Sequence, residues 1–192
     1  MNRPLQATIT PDQRKLNLKL HNEHDVWGGS PYYLIEVSKD NNLDLVGFIK
    51  NTKPKSILDF GCGKGYAADN LKKLFPDIPI VKYDPCFPEF EQYPTGVFDL
   101  VICYNVLQMT DAVTLPLVAA ELAAFTDKYL FINVNKPLSE VEKTINLYTS
   151  LFNNFKFLFK KAWKLAPDRL NHTRKILPHW INNYHITLIM SK

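Results

Sequence analysis

The chain has 192 residues, of which 46% are hydrophobic and 22% charged, and its formal net charge is +4. This composition is that of an ordinary globular protein and excludes a disordered or fibrous chain, and the length suits one domain with a sizeable core. Because the sequence contains neither an apolar run of about 18 residues nor a signal-peptide pattern, we expect one domain over residues 1–192, located in the cytoplasm and not in a membrane.

The charge is unevenly distributed, and the cysteines are few. Residues 151–192 contain eight basic residues and one acidic residue, whereas residues 1–150 carry a small excess of acidic residues. This basic segment is interpreted either as a solvated surface or as a site for an anionic substrate. The three cysteines, Cys62, Cys86 and Cys103, have neither disulfide-framework nor metal-site spacing, which favours a reducing compartment and predicts no metal.

The first half of the chain predicts an alternation of helices and strands. Residues 1–30 are polar with little periodicity, and they predict a flexible or flap-like segment that ends in Trp27-Gly-Gly-Ser-Pro31. A helix over 41–50 follows, and the short apolar segment 56–60 predicts a buried strand. Glycines then lead into a helix with Ala67, Leu71, Leu74 and Phe75 on one face, before a strand over 79–83.

The second half continues the alternation. It predicts a strand over 98–104, a helix over 112–126 and a strand over 128–134. Ser139 and Glu142 have capping-box spacing before a helix with an apolar stripe from Leu138 to Phe152. Strands over 155–160 and 184–190 close the chain. The pattern predicts an α/β fold with a mainly parallel sheet, helices on both faces and ligands at the carboxyl ends of the strands.

Three glycines directly after the first predicted strand form the clearest candidate site. Gly61, Gly63 and Gly65 allow a tight turn and a close backbone approach to a nucleoside-type ligand. A nicotinamide-dinucleotide fingerprint would place its third glycine at Tyr66, and a phosphate-binding loop would require Ser or Thr after Gly-Lys. A nucleotide-dependent oxidoreductase is therefore disfavoured.

Three segments together carry a resemblance to a known family. They are Leu58-Asp-Phe-Gly-Cys-Gly-Lys-Gly65, Asp84 and Phe98-Asp-Leu-Val-Ile-Cys103. In residue type, order and spacing they resemble class I, Rossmann-like methyltransferases that use S-adenosylmethionine (SAM). The resemblance implies that the glycine loop lies against the methionine part of SAM, that Asp84 holds the ribose hydroxyls, and that Asp59 assists the methionine amino end. It also implies an antiparallel last strand. The cofactor-binding residues expected from it are Asp59, Gly61, Cys62, Gly63, Gly65, Asp84, Pro85, Tyr104 and Asn105.

Each assignment has a structural alternative. Asp84 could form a turn before Pro85, Asp59 could stabilise the loop, and Asp99 is expected to be structural rather than catalytic. Trp27-Gly28-Gly29 could close over SAM or form an ordinary loop.

The chain departs from the family pattern at two places. Only the residues 85–97 separate Asp84 from the next strand, so we expect one edge strand to be missing. Phe87, Phe90 or Tyr93 would then stack on the adenine or belong to the core. After Asn105 the chain has Val106-Leu-Gln-Met109 in place of an acid and a histidine. A SAM-binding protein without catalysis, or an accessory protein, is therefore the alternative function.

The segment 161–183 predicts where a substrate would bind. Its cations and Trp180 suit phosphate contact and base stacking, so a nucleic acid or nucleotide acceptor is a hypothesis. His172 and His179 are candidate general bases, and Asn105 is a third catalytic candidate. Asn171-His172 with Trp180 also weakly resembles small phage and bacterial methyltransferase-domain proteins of unassigned substrate.

Overall fold

The computed structural model describes residues 9–23, 45–164 and 183–192, which belong to two compact units, Ile9–Ile102 and Cys103–Lys192. The helices are α1 (Pro11–Glu23), α2 (Leu45–Thr52), α3 (Tyr66–Leu74), α4 (Leu115–Phe125) and α5 (Val141–Leu151). The strands are β1 (Ile57–Phe60), β2 (Ile80–Tyr83), β3 (Phe98–Tyr104), β4 (Thr126–Pro137), β5 (Lys156–Lys164) and β6 (Asn183–Ser191).

In the unit 9–102, β1 is the central strand. It pairs in parallel with β2, where Asp59 lies opposite Lys82, and in parallel with β3, where Leu58 lies opposite Val101. Ile57 and Leu58 are fully buried because both faces of β1 are covered. The parallel pairing brings the carboxyl ends of β1 and β2 to the same edge, where the glycine loop begins.

In the unit 103–192, β6 pairs antiparallel with both β4 and β5. Its core includes residues of the paired strands that are all buried, among them Leu130, Ile132, Val134, Ile186 and Leu188. Helix α4 adds Val118, Leu122 and Phe125, the face expected from the sequence. Residues 130–135 of β4 and 186–190 of β6 are buried without alternation, as expected for strands that are covered on both faces.

The strand order is β2-β1-β3-β4-β6-β5, with β6 antiparallel to its neighbours. Residues 85–97 form turns and no strand, so β2 is the outermost of the described strands on its side of the sheet. The expected Rossmann-like α/β fold, with an antiparallel last strand and one missing edge strand, is confirmed.

Helix α1 is an element that hydrophobic periodicity did not reveal, because it lies in the polar segment 1–30. Thr10 provides its amino-terminal cap, since its hydroxyl oxygen accepts the backbone N–H of Gln13 at 3.2 Å. Pro11 occupies the first helical position, which suits its fixed φ and missing N–H. The glycine-containing turn Trp27–Pro31 lies outside the described residues.

Two local predictions near the start of α5 are wrong. The helix begins at Val141 and has no side-chain cap, so Ser139 and Glu142 do not form a capping box. Residues Leu138–Glu140 instead form a 3-10 turn, and Leu138 is 62% exposed rather than part of the buried stripe. Leu74 of α3 is likewise exposed, and Ala68 with Leu71 forms the buried face of that helix.

Candidate cofactor site

The loop that follows β1 is fixed to the end of β2 by backbone hydrogen bonds. The backbone N–H groups of Gly61 and Cys62 both donate to the Tyr83 carbonyl oxygen, at 2.7 and 3.1 Å. The N–H of Gly63 donates to Asp84 Oδ2 at 2.8 Å. All three glycines of the loop have a positive φ, between 55° and 77°. Residues other than glycine rarely adopt this backbone conformation. The glycine spacing therefore serves a tight turn that is locked against β2.

A close contact with a lysine side chain is found at Gly65, in addition to its positive φ. Gly65 forms the amino-terminal cap of α3, and a Cβ placed there would lie 2.9 Å from both Cδ and Nζ of Lys82. Lys82 crosses the glycine and reaches Asp69 of α3, with 2.6 Å between Nζ and Oδ1. The lysine thus links β2 to the first turn of α3, a role that the sequence analysis did not foresee.

Asp59 is the most perturbed carboxyl group among the described residues. It is 3% exposed, and its carboxyl group accepts the backbone N–H of Ala68 in the first turn of α3. Its Oδ2 is buried without a hydrogen-bond partner in the described part of the chain. The pKa of Asp59 is raised from 3.8 to about 7, first by burial and then by the nearby Asp84 charge, while Lys82 opposes the shift. The unpaired oxygen is an acceptor available to a donor from a ligand.

Asp84 uses both carboxylate oxygens within the chain. Oδ2 accepts the N–H of Gly63 and Oδ1 accepts the N–H of Cys86, both at 2.8 Å, while the side chain is 5% exposed. The second bond is the turn-forming contact expected of an Asp before Pro85. The Cys86 thiol is a third hydrogen-bonding neighbour of this side chain, which leaves the carboxylate with capacity for one further donor. The ribose-binding role of Asp84 stays a prediction.

The cysteines near the loop are uncharged. Burial raises the pKa of the Cys62 thiol well above its usual range and that of Cys86 to about 12. Cys62 Sγ lies 3.7 Å from the Gly63 carbonyl oxygen, which gives the thiol a weak acceptor inside the loop. A neutral, buried thiol is not a nucleophile, so Cys62 can contribute to the site only through packing and its backbone.

The aromatic residues of segment 85–97 have separate contacts. Phe87 makes an edge contact with His21 of α1 at 5.1 Å between ring centroids. Phe90 lies 5.0 Å from Lys82 Nζ, which sits over its ring. Tyr93 packs edge-on against the buried Tyr83 at 5.7 Å between ring centroids. Tyr93 therefore contacts the core, while a stacking role of Phe87 or Phe90 stays a prediction.

Helix α1 contacts the turn after Asp84 through polar groups. Arg14 forms an ion pair with Glu91, and Asn17 Nδ2 donates to Cys86 Sγ at 3.6 Å. Together with the contact of His21, these residues lie along one face of the helix at a spacing of three and four residues. Because this face of α1 is polar, the sequence of the helix has no apolar periodicity that would indicate it.

Asp99 has the structural role that was expected of it. Its Oδ2 accepts the backbone N–H of Lys55 at 2.8 Å, and its own N–H donates to the Ser56 hydroxyl at 3.1 Å. These bonds fix the chain just before β1.

Tyr104 and Asn105 belong to the unit 103–192 and are described within it. Asn105 has φ of 58°, and its N–H donates to the Asn133 carbonyl oxygen of β4 at 2.7 Å. Its Oδ1 accepts from Gln108 Nε2 at 3.4 Å. Asparagine tolerates this left-handed conformation better than most residues, and such conformations concentrate at functional sites.

The other catalytic candidates, His172 and His179, lie outside the described residues, as does most of the basic segment 161–183. Among the described residues, no group of three or more His, Cys, Asp or Glu side chains could hold a metal ion. No helix within residues 9–23, 45–164 and 183–192 is both long and apolar enough to cross a membrane.

Solved structures with similar folds come from SAM-dependent enzymes. One is the magnesium protoporphyrin IX methyltransferase of Synechocystis PCC 6803, solved with SAM. It is 15% identical to this chain with a TM-score of 0.60, and the alignment covers 96% of this chain and 99% of the methyltransferase. The plantazolicin methyltransferase BpumL, solved with a monoazolic desmethylPZN analogue and S-adenosylhomocysteine (SAH), has 15% identity and a TM-score of 0.56, with 95% and 91% coverage. The N-methyltransferase NodS of Bradyrhizobium japonicum WM9, solved with SAH, has 10% identity and a TM-score of 0.51, with 85% and 99% coverage.

These identities are low, so the likenesses establish the fold. No curated protein matches the chain in sequence. A family model described as a methyltransferase domain matches residues 35–162, about two thirds of the chain, and includes the glycine loop, Asp84 and Asn105. The chain therefore belongs to the methyltransferase-domain family and is a SAM-dependent methyltransferase.

Proposed function

We propose that the chain binds SAM through the residues around its glycine loop and transfers the methyl group to a small-molecule or peptide acceptor. The unpaired, buried Oδ2 of Asp59 is the observation that carries the proposed binding mode. A buried carboxylate oxygen without a donor is costly, and the cationic amino group of the methionine part supplies both a donor and an opposite charge.

The remaining predicted residues fit the same ligand. The loop has no side chains at Gly61, Gly63 and Gly65, so a ligand can approach its backbone closely. Asp84 would accept the ribose hydroxyls, for which its carboxylate keeps one lone pair beyond the bonds made within the chain. Tyr104 and Asn105 follow β3 and are proposed to meet the methionine end of SAM, as the family resemblance implies.

SAM supplies an activated sulfonium methyl when it is bound. The task of the protein is then to hold the acceptor in line and to exclude water, which gains rate through proximity and orientation. Asp59 and Asp84 are binding residues in this scheme and transfer no proton. His172 and His179 stay candidate bases for an acceptor that must lose a proton, and Asn105 stays a candidate for orienting it.

Calorimetry with SAM and SAH tests the binding mode. We expect Asp59→Asn to weaken both ligands at least about tenfold, because the variant loses a charge-assisted hydrogen bond. Asp127→Asn, which replaces an exposed carboxylate of β4, is the matched control and should leave the affinity unchanged. Failure of the parent to bind either ligand would refute the proposal, and equal affinity of Asp59→Asn would refute the role of Asp59.

The acceptor class is proposed from two of the similar structures and from the charge of the chain. BpumL was solved with a desmethylPZN analogue, and NodS is an N-methyltransferase, which favours small molecules and peptides as the first acceptors to test. The hypothesis of a nucleic acid or nucleotide rests on the charge of residues 151–192. Filter binding over a salt series tests it, since phosphate contacts weaken steeply with salt, and salt-insensitive or absent binding would count against nucleic acid.

A SAM-binding protein without turnover remains the second candidate. The absence of a strand in residues 85–97 and the amide and thioether side chains of Gln108 and Met109 favour it. Transfer of a tritiated methyl group to separate pools of peptides, small molecules and nucleic acid decides between the two, because incorporation into any pool excludes a silent protein.

The three cysteines are free and buried. Free thiols persist in reducing compartments, which supports a cytoplasmic location as part of the proposal.

A further inference from the structure

Two buried amide oxygens in the unit 103–192 have no donor. They are Gln108 Oε1, in the turn after β3, and Asn135 Oδ1, near the carboxyl end of β4, and neither has a hydrogen-bond partner among the described residues. Asn135 is only 7% exposed. Since native proteins pair nearly all buried polar atoms, two such acceptors in one unit call for an explanation.

Backbone and side-chain contacts join the elements that carry these oxygens. The N–H of Asn105 donates to the Asn133 carbonyl oxygen, which ties the turn after β3 to β4 two residues before Asn135. The 3-10 turn Leu107–Met109, which contains Gln108, also packs against β4. Two residues along a strand correspond to about 6.6 Å, so Asn135 lies within side-chain reach of this turn.

The orientation of the Gln108 amide is set within the turn. Its Nε2 donates to Asn105 Oδ1 at 3.4 Å, which leaves Oε1 as the group that still lacks a partner. Asn133, the other asparagine on this face of β4, already donates from Nδ2 to Thr187 Oγ1 at 2.9 Å. At the two amide side chains of Gln108 and Asn135, the unmet hydrogen-bonding capacity is that of carbonyl acceptors, which need N–H or O–H donors.

We propose that Asn105, Gln108 and Asn135 form the acceptor-binding site, and that they select an uncharged nitrogen that carries two N–H groups. This inference rests on the proposed function and deepens it by naming the chemical class of the acceptor. Carbonyl oxygens of Gln108 and Asn135 each receive one N–H, which leaves the nitrogen lone pair directed away from both.

The chemistry of these side chains favours nitrogen over oxygen as the methyl acceptor. An amide oxygen accepts a hydrogen bond but does not remove a proton at neutral pH, and residues 104–110 and 133–137 contain no carboxylate or imidazole. An uncharged amine needs no base before it attacks. Its lone pair forms the N–C bond while the C–S electron pair returns to sulfur, and the resulting ammonium loses its proton to water afterwards.

A hydroxyl acceptor would instead need a base. His172 and His179 are the candidates within the basic segment, and His185 lies opposite Asn135 in the register of β4 and β6. The test must therefore separate N–H recognition from O–H recognition.

Nitrogen-15 spectra of the SAH-saturated protein provide this test. The side-chain amide signals of Gln108 and Asn135, assigned with Gln108→Met and Asn135→Leu, are followed during titration with aniline, N,N-dimethylaniline and phenol. Aniline is an uncharged amine with two N–H groups, and its dimethyl analogue has none. We expect aniline to shift both signals at concentrations at which N,N-dimethylaniline does not.

Each variant should weaken aniline binding about fivefold, the effect of one lost hydrogen bond. Backbone amide spectra establish that each variant is folded. If Asn135→Leu is unfolded, the test is made with Gln108→Met alone, because that residue lies at a half-buried turn position. Equal shifts from both arylamines, no shift from aniline, or tighter binding of phenol would overturn the inference. SAH affinity measured on the same sample separates the two proposals, since a protein that binds SAH but ignores aniline refutes only this one.

Discussion

The raised pKa of Asp59 makes a quantitative prediction about stability. The pKa is about 7 in the folded chain, whereas the ordinary value is 3.8. A carboxyl group whose pKa is raised by folding binds its proton more tightly in the folded state, so its contribution to stability is present at low pH and is lost as the pH rises through 7. The difference between these two pKa values corresponds to roughly 4 kcal/mol.

Replacing Asp59 by asparagine removes the ionisation while retaining an oxygen for the Ala68 N–H. We therefore expect the unfolding free energy of Asp59→Asn, relative to the parent, to rise by about 2 to 4 kcal/mol between pH 4 and pH 8. Urea denaturation followed by far-ultraviolet circular dichroism measures this difference. The control Asp127→Asn alters an exposed carboxylate and should show a difference that stays nearly constant with pH.

The result that would refute this reasoning is a difference for Asp59→Asn that does not change with pH, or that changes in the opposite direction. A carbon-13 titration of the Asp59 carboxyl provides a direct reading, with a midpoint near pH 7 expected in the SAH-free protein. Combined with calorimetry, the variant is informative for function, because we expect it to be more stable at pH 8 and yet to bind SAH more weakly. A purely structural role of Asp59 would not produce these opposite effects.

Three further predictions follow from the site. The affinity of the parent for SAH should fall about tenfold for each pH unit below 7, since the ligand's cation requires ionised Asp59, and calorimetry on Asp59→Asn should give a flat profile. Gly65→Ala should lower the unfolding free energy by about 1 kcal/mol more than Gly96→Ala, because both have positive φ but only the Gly65 substitution displaces Lys82 from Asp69. Urea denaturation should give Asn105→Ala an unfolding free energy about 1 kcal/mol lower than that of Asn105→Gly, because glycine tolerates the φ of 58° at this position and alanine does not. Equal unfolding free energies of the two variants would contradict backbone strain at residue 105.

The sequence predicted the sheet well because its strands are short apolar segments bounded by turn residues. β1 and β3 carry nearly continuous apolar residues, as expected for strands covered on both faces, and their ends agree within one residue. The missing edge strand was predictable from chain length, since residues 85–97 are too few for a helix and a strand.

Features that depend on polar contacts were not predicted. Helix α1 packs with Arg14, Asn17 and His21, so it has no apolar face to detect, although Thr10-Pro11 is a recognisable start signal for a helix. Lys82 could not be identified from its own strand, because its contacts with Gly65 and Asp69 arise only when β2 lies beside the loop. The same holds for Asn135, whose relation to Gln108 depends on the pairing of distant segments.

The shortened segment after Asp84 also leaves one edge of the described sheet without an outer strand. With no strand in 85–97, β2 has one strand neighbour in the described sheet, and Val81 on it is 37% exposed. An open edge of this kind is a template on which another chain can add a strand. Here the edge is only four residues long and has a proline on each side, at Pro79 and Pro85, which donate no hydrogen bond. A foreign strand could therefore form only a few bonds with β2 before the ladder ends.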